Sequence, residues 1–342
     1  MKVELFSAPS AFDALADTWD SLLDSRRSDN LYMTNRWLKT WWKHMHPGEL
    51  AIVTVRDDQG AVQGIGPWFI ENLLGERVVR LIGCLDIVDY LDVIVRPGFE
   101  NPVYQALMDF MCSEDAPQWD RLQFCDIPAD SPSLQLFPDL AVTHGLIYEA
   151  SVQDVCPIID LPGSFEEYLE SLDKKQRHEL RRKRRRADAE DTRFYIAGPE
   201  HDLHEEIQAF LSLMEMSTPE KADFLTVPGH RPFFEEMGPL MYETGHLDLA
   251  FLTINGQRAA AMWQFQYRDR VMLYNSGLNT ADFLGLSPGI VLLTYSIENA
   301  IERGFRKYDF LRGDEEYKFR MGARPTTVNR IDIRRAGHVL PT

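Results

Sequence analysis

The order in which strand and helix signals recur limits this chain more than any single residue does. Each half carries a hairpin, a further strand, a Pro-Gly break, an amphipathic helix and one more strand. In the first half the later part of the series is Tyr90–Val95, Pro97-Gly98, Pro102–Cys112 and Leu122–Asp126. In the second it is Val271–Ser276, Pro288-Gly289, Ile290–Arg303 and Lys307–Leu311. Turn residues set the hairpins: Asp57-Asp58-Gln59-Gly60 in the first half, Asn255-Gly256 and Arg268-Asp269 in the second. A meander followed by a crossover helix and a last strand builds a mixed sheet. The expectation is therefore an α/β (α+β mixed sheet) protein of two similar domains, residues 1–160 and 161–342, which suits a chain of 342 residues.

Charge and cysteine content narrow the function classes. The net charge of −17 is divided as −14 over residues 1–160 and −3 over 161–342. An acidic protein is a poor nonspecific binder of nucleic acid or anionic membrane. Anion binding must therefore be local, with the second half the better place, and no stable nucleic-acid partner is expected. No apolar run is long enough to span a membrane, and the N-terminus does not read as a secretory signal. The four cysteines, Cys84, Cys112, Cys125 and Cys156, form no C-x-x-C pair. They read as buried thiols in a reducing, cytoplasmic compartment, without disulfide or zinc. His201 and His204 have i, i+3 spacing, but no third ligand is suggested and no metal is expected.

Three segments carry chemistry-bearing residues. Ser287-Pro288-Gly289-Ile290 opens an amphipathic helix, with Ser287 as an expected N-cap and Pro288 at N1. Such a terminus is an ordinary capped start or an anion site. Past the strand ending at Leu311, Arg312, Gly313, Asp314, Glu315, Tyr317 and Lys318 cluster with interleaved aromatics. Ionisable groups at a strand end suit proton transfer; the alternative is a solvated turn. A long helix from the capping box at Ser164 turns wholly basic over Arg181–Arg186. It is a solvated helix end or a site for phosphate, lipid or RNA. Tyr90 and Asp92 precede the first Pro-Gly break and would line a cleft between the halves.

Ser287-Pro288-Gly289 followed by Tyr308-Asp309-Phe310-Leu311-Arg312-Gly313-Asp314-Glu315-x-Tyr317-Lys318-Phe319 resembles the GNAT-superfamily acetyltransferases associated with cellulose biosynthesis, the CelD/BcsL type. Lys175-x-Arg177-x-x-Leu180-x-x-Lys183 resembles both these and the Fem-type aminoacyltransferases. The resemblance implies a tandem duplicated GNAT-like fold and an acyl-CoA (acetyl-CoA) co-substrate without metal. The donor would be held at Ser287, Pro288, Gly289 and Ile290, where the chain lacks the family loop's basic first residue and middle Gly. The first half offers only Arg96-Pro97-Gly98 there and is expected to be degenerate for CoA. Tyr317 would be the acid toward the leaving thiolate, with Asp314 and Glu315 as candidate bases. Arg312, Lys318, Tyr90 and Asp92 would meet the acceptor. A backbone N–H within Tyr274–Ser276 would hold the thioester oxygen. The expected function is acyl transfer to an amine or hydroxyl of a small-molecule or saccharide acceptor, in association with envelope-polysaccharide machinery. The rivals are Fem-like transfer from aminoacyl-tRNA and a non-catalytic subunit of a polysaccharide-synthesis assembly.

Overall fold

The computed structural model describes residues 1–24, 30–84 and 87–335. They fall into two units, Met1–Asp154 with the chain from Thr327 on, and Val155–Thr326. No helix among the described residues is long and apolar enough to cross a membrane.

Unit 1 runs β1 (Lys2–Phe6), α1 (Ser10–Asp24), α2 (Asn35–Met45), β2 (Glu49–Arg56), β3 (Val62–Leu73), β4 (Glu76–Leu81), β5 (Ile94–Val95), α3 (Glu100–Met111), β6 (Arg121–Pro128) and α4 (Pro132–Thr143). The strand β7 (Leu146–Asp160) leads into unit 2. Unit 2 continues with α5 (Phe165–Ser171), α6 (Lys174–Asp188), β8 (Thr192–Ile196), α7 (Leu203–Ser217), α8 (Pro219–Thr226) and α9 (His230–Glu243). There follow β9 (Leu247–Ile254), β10 (Gln257–Tyr267), β11 (Arg270–Leu278), α10 (Pro288–Glu302), β12 (Lys307–Asp309) and α11 (Glu316–Arg320). The last strand, β13 (Arg324–Arg335), pairs with β6 and so completes unit 1.

The strands of the two units repeat one pattern of pairings. In unit 1, β1, β2, β3 and β4 pair antiparallel in that order. β4 then pairs parallel with β6, and β6 antiparallel with β13. In unit 2, β8, β9, β10 and β11 pair antiparallel, β11 is parallel to β12, and β12 is antiparallel to β7. The parallel step needs a crossover, supplied by α3 in one unit and α10 in the other.

The repeat expected from the order of elements is present, but one equivalence differs. Tyr90–Val95 was expected to match Val271–Ser276. Only Ile94–Val95 is strand, and it pairs with β3. β4 instead holds the place of β11. Residues 87–95 are all buried, and a continuous apolar run does not distinguish a strand from a buried connection. There Leu91 N–H goes to the Asp126 carbonyl and Val93 N–H to the Asp92 carboxylate.

Packing follows the aromatic content. Trp19, Trp37, Trp41, Trp68, Phe69 and Phe124 are buried in unit 1, with Trp68 stacked on Phe124 at 5.7 Å between ring centroids. This accounts for the tryptophan density near residue 40 as core. In unit 2 the apolar stripe of α10, including Leu293 and Ile297, packs on Ala250, Leu252, Ala260 and Met262 of the sheet. Cys84 and Cys125 are joined as a disulfide, against the expectation of four thiols. Because β4 and β6 are parallel neighbours, the two residues come to 5.7 Å between Cα atoms, within the span of such a bond. Cys112 and Cys156 are free.

Candidate functional site

Within unit 2, β11 and β12 pair over three positions only, Arg270 with Lys307, Val271 with Tyr308 and Met272 with Asp309. Past them the strands part. The chain after β12 follows β7, with Phe310 N–H bonded to the Pro157 carbonyl and Gly313 N–H to that of Val155. β11 carries a bulge just beyond its last paired residue. Trp263 faces Asn275 and Gln264 faces Leu273, so Tyr274 is the extra residue. Beyond it, Leu278 N–H is capped by the Ser217 hydroxyl of α7 at 2.7 Å. The two strand ends are thus unpaired with each other past these positions, and the candidate residues of unit 2 follow β12 or lie at the start of α10.

The helix α10 begins at Pro288, as its sequence suggests, but without the expected serine cap. Ser287 adopts a left-handed conformation, φ 55°, and its side chain does not cap the helix. Its carbonyl accepts the N–H groups of Ile290 and Val291. Pro288 has no N–H, which leaves Gly289 as the backbone donor of that terminus. The Ser287 hydroxyl instead accepts from Lys183 Nζ at 3.0 Å, and Arg186 donates to the Gly285 carbonyl at 3.1 Å. Two cations of α6 are therefore delivered to the N-terminus of α10.

The basic stretch lies on a shorter helix than the sequence suggests. Leu172 is extended, and the Asp173 carboxylate accepts Gln176 N–H at 2.9 Å, so the long helix is broken into α5 and α6. α6 docks on α10 through Arg184, which pairs with Glu298 at 2.7 Å and lies 4.3 Å over the Tyr295 ring. His178, Arg181, Arg184, Arg185 and Asp188 line an adjoining groove.

The turn after β12 is built around an ion pair. Leu311 takes a left-handed φ of 55°, held by its N–H to the Asp309 carboxylate at 2.9 Å. Lys318, buried at 3% exposure, donates to the carbonyls of Arg312 at 2.7 Å and Gly313 at 3.1 Å, and pairs with Glu315 at 2.8 Å. A Cβ on Gly313, whose φ is 112°, would run into Glu315 and Lys318. All three donors of Lys318 are thus used within the turn. Arg312 is half-buried and Asp314 is exposed.

Tyr317 packs its ring edge-on against Phe310 at 6.1 Å. Its hydroxyl has no hydrogen-bond partner among the described residues. Burial, with the Glu315 carboxylate beside it, pushes its pKa well above the ordinary tyrosine value. It is a phenol that stays protonated at neutral pH. Near it Tyr308, fully buried, shares a network with Ser296 at 3.0 Å and with Gln264.

Sequence reasoning missed Lys221. It projects from α8, and its Nζ donates to the Ser276 carbonyl at 2.5 Å and hydroxyl at 3.1 Å. Burial lowers its pKa to about 8, while Glu315 acts in the opposite sense. A lone lysine just after the Thr218-Pro219 helix start, ahead of apolar Ala222, Phe224 and Leu225, is the signal that was present. In the Tyr274–Ser276 segment, Ser276 N–H is taken by the Asn275 side chain at 2.9 Å.

Tyr90 and Asp92 belong to unit 1. Asp92 is buried at 1% exposure and accepts from the hydroxyls of Ser131 at 2.7 Å and Ser133 at 2.6 Å. Tyr90 lies against Tyr32, also buried. In unit 1 the helix corresponding to α10 is α3. There the Glu100 carboxylate holds Gly98 N–H at 2.8 Å, so an anion already occupies that helix start.

Residues 174–319 match the acetyltransferase (GNAT) domain family. The matched segment extends from α6 to α11. No curated protein matches the sequence. Among solved structures, FemX is similar with a TM-score of 0.66 at 13% identity over 97% of each chain. L-PGS from Bacillus licheniformis is similar with a TM-score of 0.58 at 13% identity, over 95% of this chain and 93% of that one. A tandem GNAT protein from the clavulanic acid biosynthesis pathway has a TM-score of 0.50 at 11% identity, over 99% and 100%. At these identities the likeness is one of fold, and the fold is mixed α/β of the tandem GNAT-like kind.

Proposed function

We propose that the GNAT domain transfers an acyl group, most simply acetyl, from coenzyme A to an amine or hydroxyl of a sugar, a lipid-linked intermediate or an amino compound. The observation that carries this reading is the meeting of Lys183, Arg186 and Gly289 N–H at the start of α10. A helix N-terminus favours an anion, and two cations beside it add charge-assisted donors for a pyrophosphate. The family loop's missing basic residue is thereby replaced from α6. Pro288 and Ile290 shape the terminus. Coenzyme A would supply an activated thioester, its thiol arm directed to the opening between β11 and β12. There Tyr317 would give its phenolic proton to the departing sulfur, while the turn of Arg312, Asp314 and Glu315 orients the acceptor. Glu100 in unit 1 argues that only unit 2 holds the donor. The reading places the protein in the cytoplasm, in polysaccharide or cell-envelope synthesis as the CelD/BcsL resemblance implies. Calorimetry with acetyl-CoA, followed by thiol release against amine and sugar acceptors, tests it. Binding with acceptor-dependent release supports it, and no binding rejects it.

A second reading is favoured by the groove of His178, Arg181 and Arg185 on α6: transfer of an aminoacyl group from tRNA, in the manner of the Fem-type enzymes. It requires tRNA affinity that falls steeply with salt, measured against acetyl-CoA binding in the same protein.

A further inference from the structure

Lys221 has no part in the transfer chemistry described above. It reaches the opening from α8 and takes the carbonyl of Ser276, a backbone acceptor on β11 four residues past the last one paired with β12. Glu315 lies in the turn after β12. Its carboxylate pairs with Lys318 and acts electrostatically on Lys221. The Lys221 amine therefore sits where the two strands have parted, with the Ser276 hydroxyl at 3.1 Å and near the residue whose charge also acts on Tyr317.

We propose that Lys221 is the general base of the GNAT domain and that the acceptor is an amine, a reading that rests on acyl transfer at this site. The acceptor enters as an ammonium, drawn by Glu315 and the exposed Asp314. It gives one proton to the neutral Lys221 amine. The freed lone pair forms the C–N bond to the acyl carbon as the C–S bond breaks. The sulfur takes the Tyr317 proton, and the second amine proton leaves to restore the phenol; Lys221 then returns its proton to solvent. The choice of acceptor follows from base strength. With its pKa brought to about 8 by burial, Lys221 is neutral in an appreciable fraction near neutral pH. Such a base deprotonates an ammonium readily and an alcohol hardly at all.

The test is pH-dependent labelling of the folded protein with acetic anhydride, read lysine by lysine through peptide mass spectrometry. Calorimetry with desulfo-coenzyme A, which lacks the thiol, is run in parallel. Lys221 should titrate well below the surface lysines, with Glu315→Gln moving its midpoint lower still. Saturating desulfo-coenzyme A should protect it severalfold. A midpoint shared with the surface lysines, or no protection in a protein that binds the analogue, overturns the role of Lys221 alone. Failure to bind the analogue overturns the donor reading, and this assignment with it. Where thiol release is measured against a primary-amine acceptor, Lys221→Met should lower turnover at least about tenfold at unchanged donor affinity. Lys221→Arg, which keeps its proton, should not rescue it. Full turnover in either variant, or a preference for hydroxyl acceptors, rejects the proposal.

Discussion

Lys183 Nζ stands 3.0 Å from the Ser287 hydroxyl, joining a helix rich in cations to the start of the helix expected to hold the donor. The contact also explains why Ser287 can leave the capping role: its hydroxyl serves the lysine, and its carbonyl takes the first helical N–H groups. Lys183→Met removes a charge at this terminus without disturbing the α10 stripe. Coenzyme A affinity should fall about tenfold, the scale of one charge-assisted hydrogen bond. Unchanged affinity by calorimetry would mean that this ammonium does not face the pyrophosphate.

Tyr317→Phe deletes a hydroxyl that bonds to nothing among the described residues, so melting temperature and donor affinity should hold. Turnover should fall by at least about tenfold, a positioned acid or base contributing ~10²–10⁴-fold. The raised pKa of Tyr317 also means that it contributes no inflection to the pH–rate profile in the neutral range. Full activity in the phenylalanine variant would make the ring a packing group only.

Lys318 holds the turn from inside. Lys318→Met leaves the carbonyls of Arg312 and Gly313 without their shared donor and frees the Glu315 carboxylate. The expected loss is about 1–3 kcal/mol of stability, the cost of stranding half-buried acceptors. Urea unfolding should register it even without substrate. A variant as stable as the parent would show that the ammonium is not needed to build the turn.

The start of α10 and the ionisable turn past β12 could be read from the sequence because both are local. A Pro-Gly start before an apolar stripe and a charged run after a short strand need no partner to be recognised. Lys221 was not legible, because its meaning comes from Ser276, fifty-five residues away. The bulge at Tyr274 was hidden likewise, since it exists only in register with β10. Tyr90–Val95 failed for another reason: uniform burial of residues 87–95 erased the alternation that separates a strand from a packed loop. Asp173 broke the long helix through a single cap bond to Gln176, too small a signal against the apolar stripe of Phe165, Tyr168, Leu169, Leu172 and Leu180 that runs across it.

The half-buried ammonium of Lys221 has a pH signature in folding. Its folded pKa is about 8 against an ordinary 10.5, so the unfolded chain binds more protons between those values. Stability from this position therefore rises with pH across that window. The penalty is fully present below about pH 8 and gone above 10.5. The stability of the wild type minus that of Lys221→Met, from urea unfolding, should grow over this range. A flat difference would put the ammonium in solvent.

The central claim is that the start of α10 holds the donor's pyrophosphate, and Gly289→Asp tests it most directly. A Cβ there would meet only the tip of Leu278, at 3.0 Å from Cδ2, an end that can turn away, so the variant should fold. Its carboxylate would stand where the anion belongs. Calorimetry with acetyl-CoA should show binding to the wild type and at least about tenfold weaker binding to the folded variant, roughly 1.4 kcal/mol or more. Equal affinity in the two proteins, or no binding by the wild type, would contradict the account.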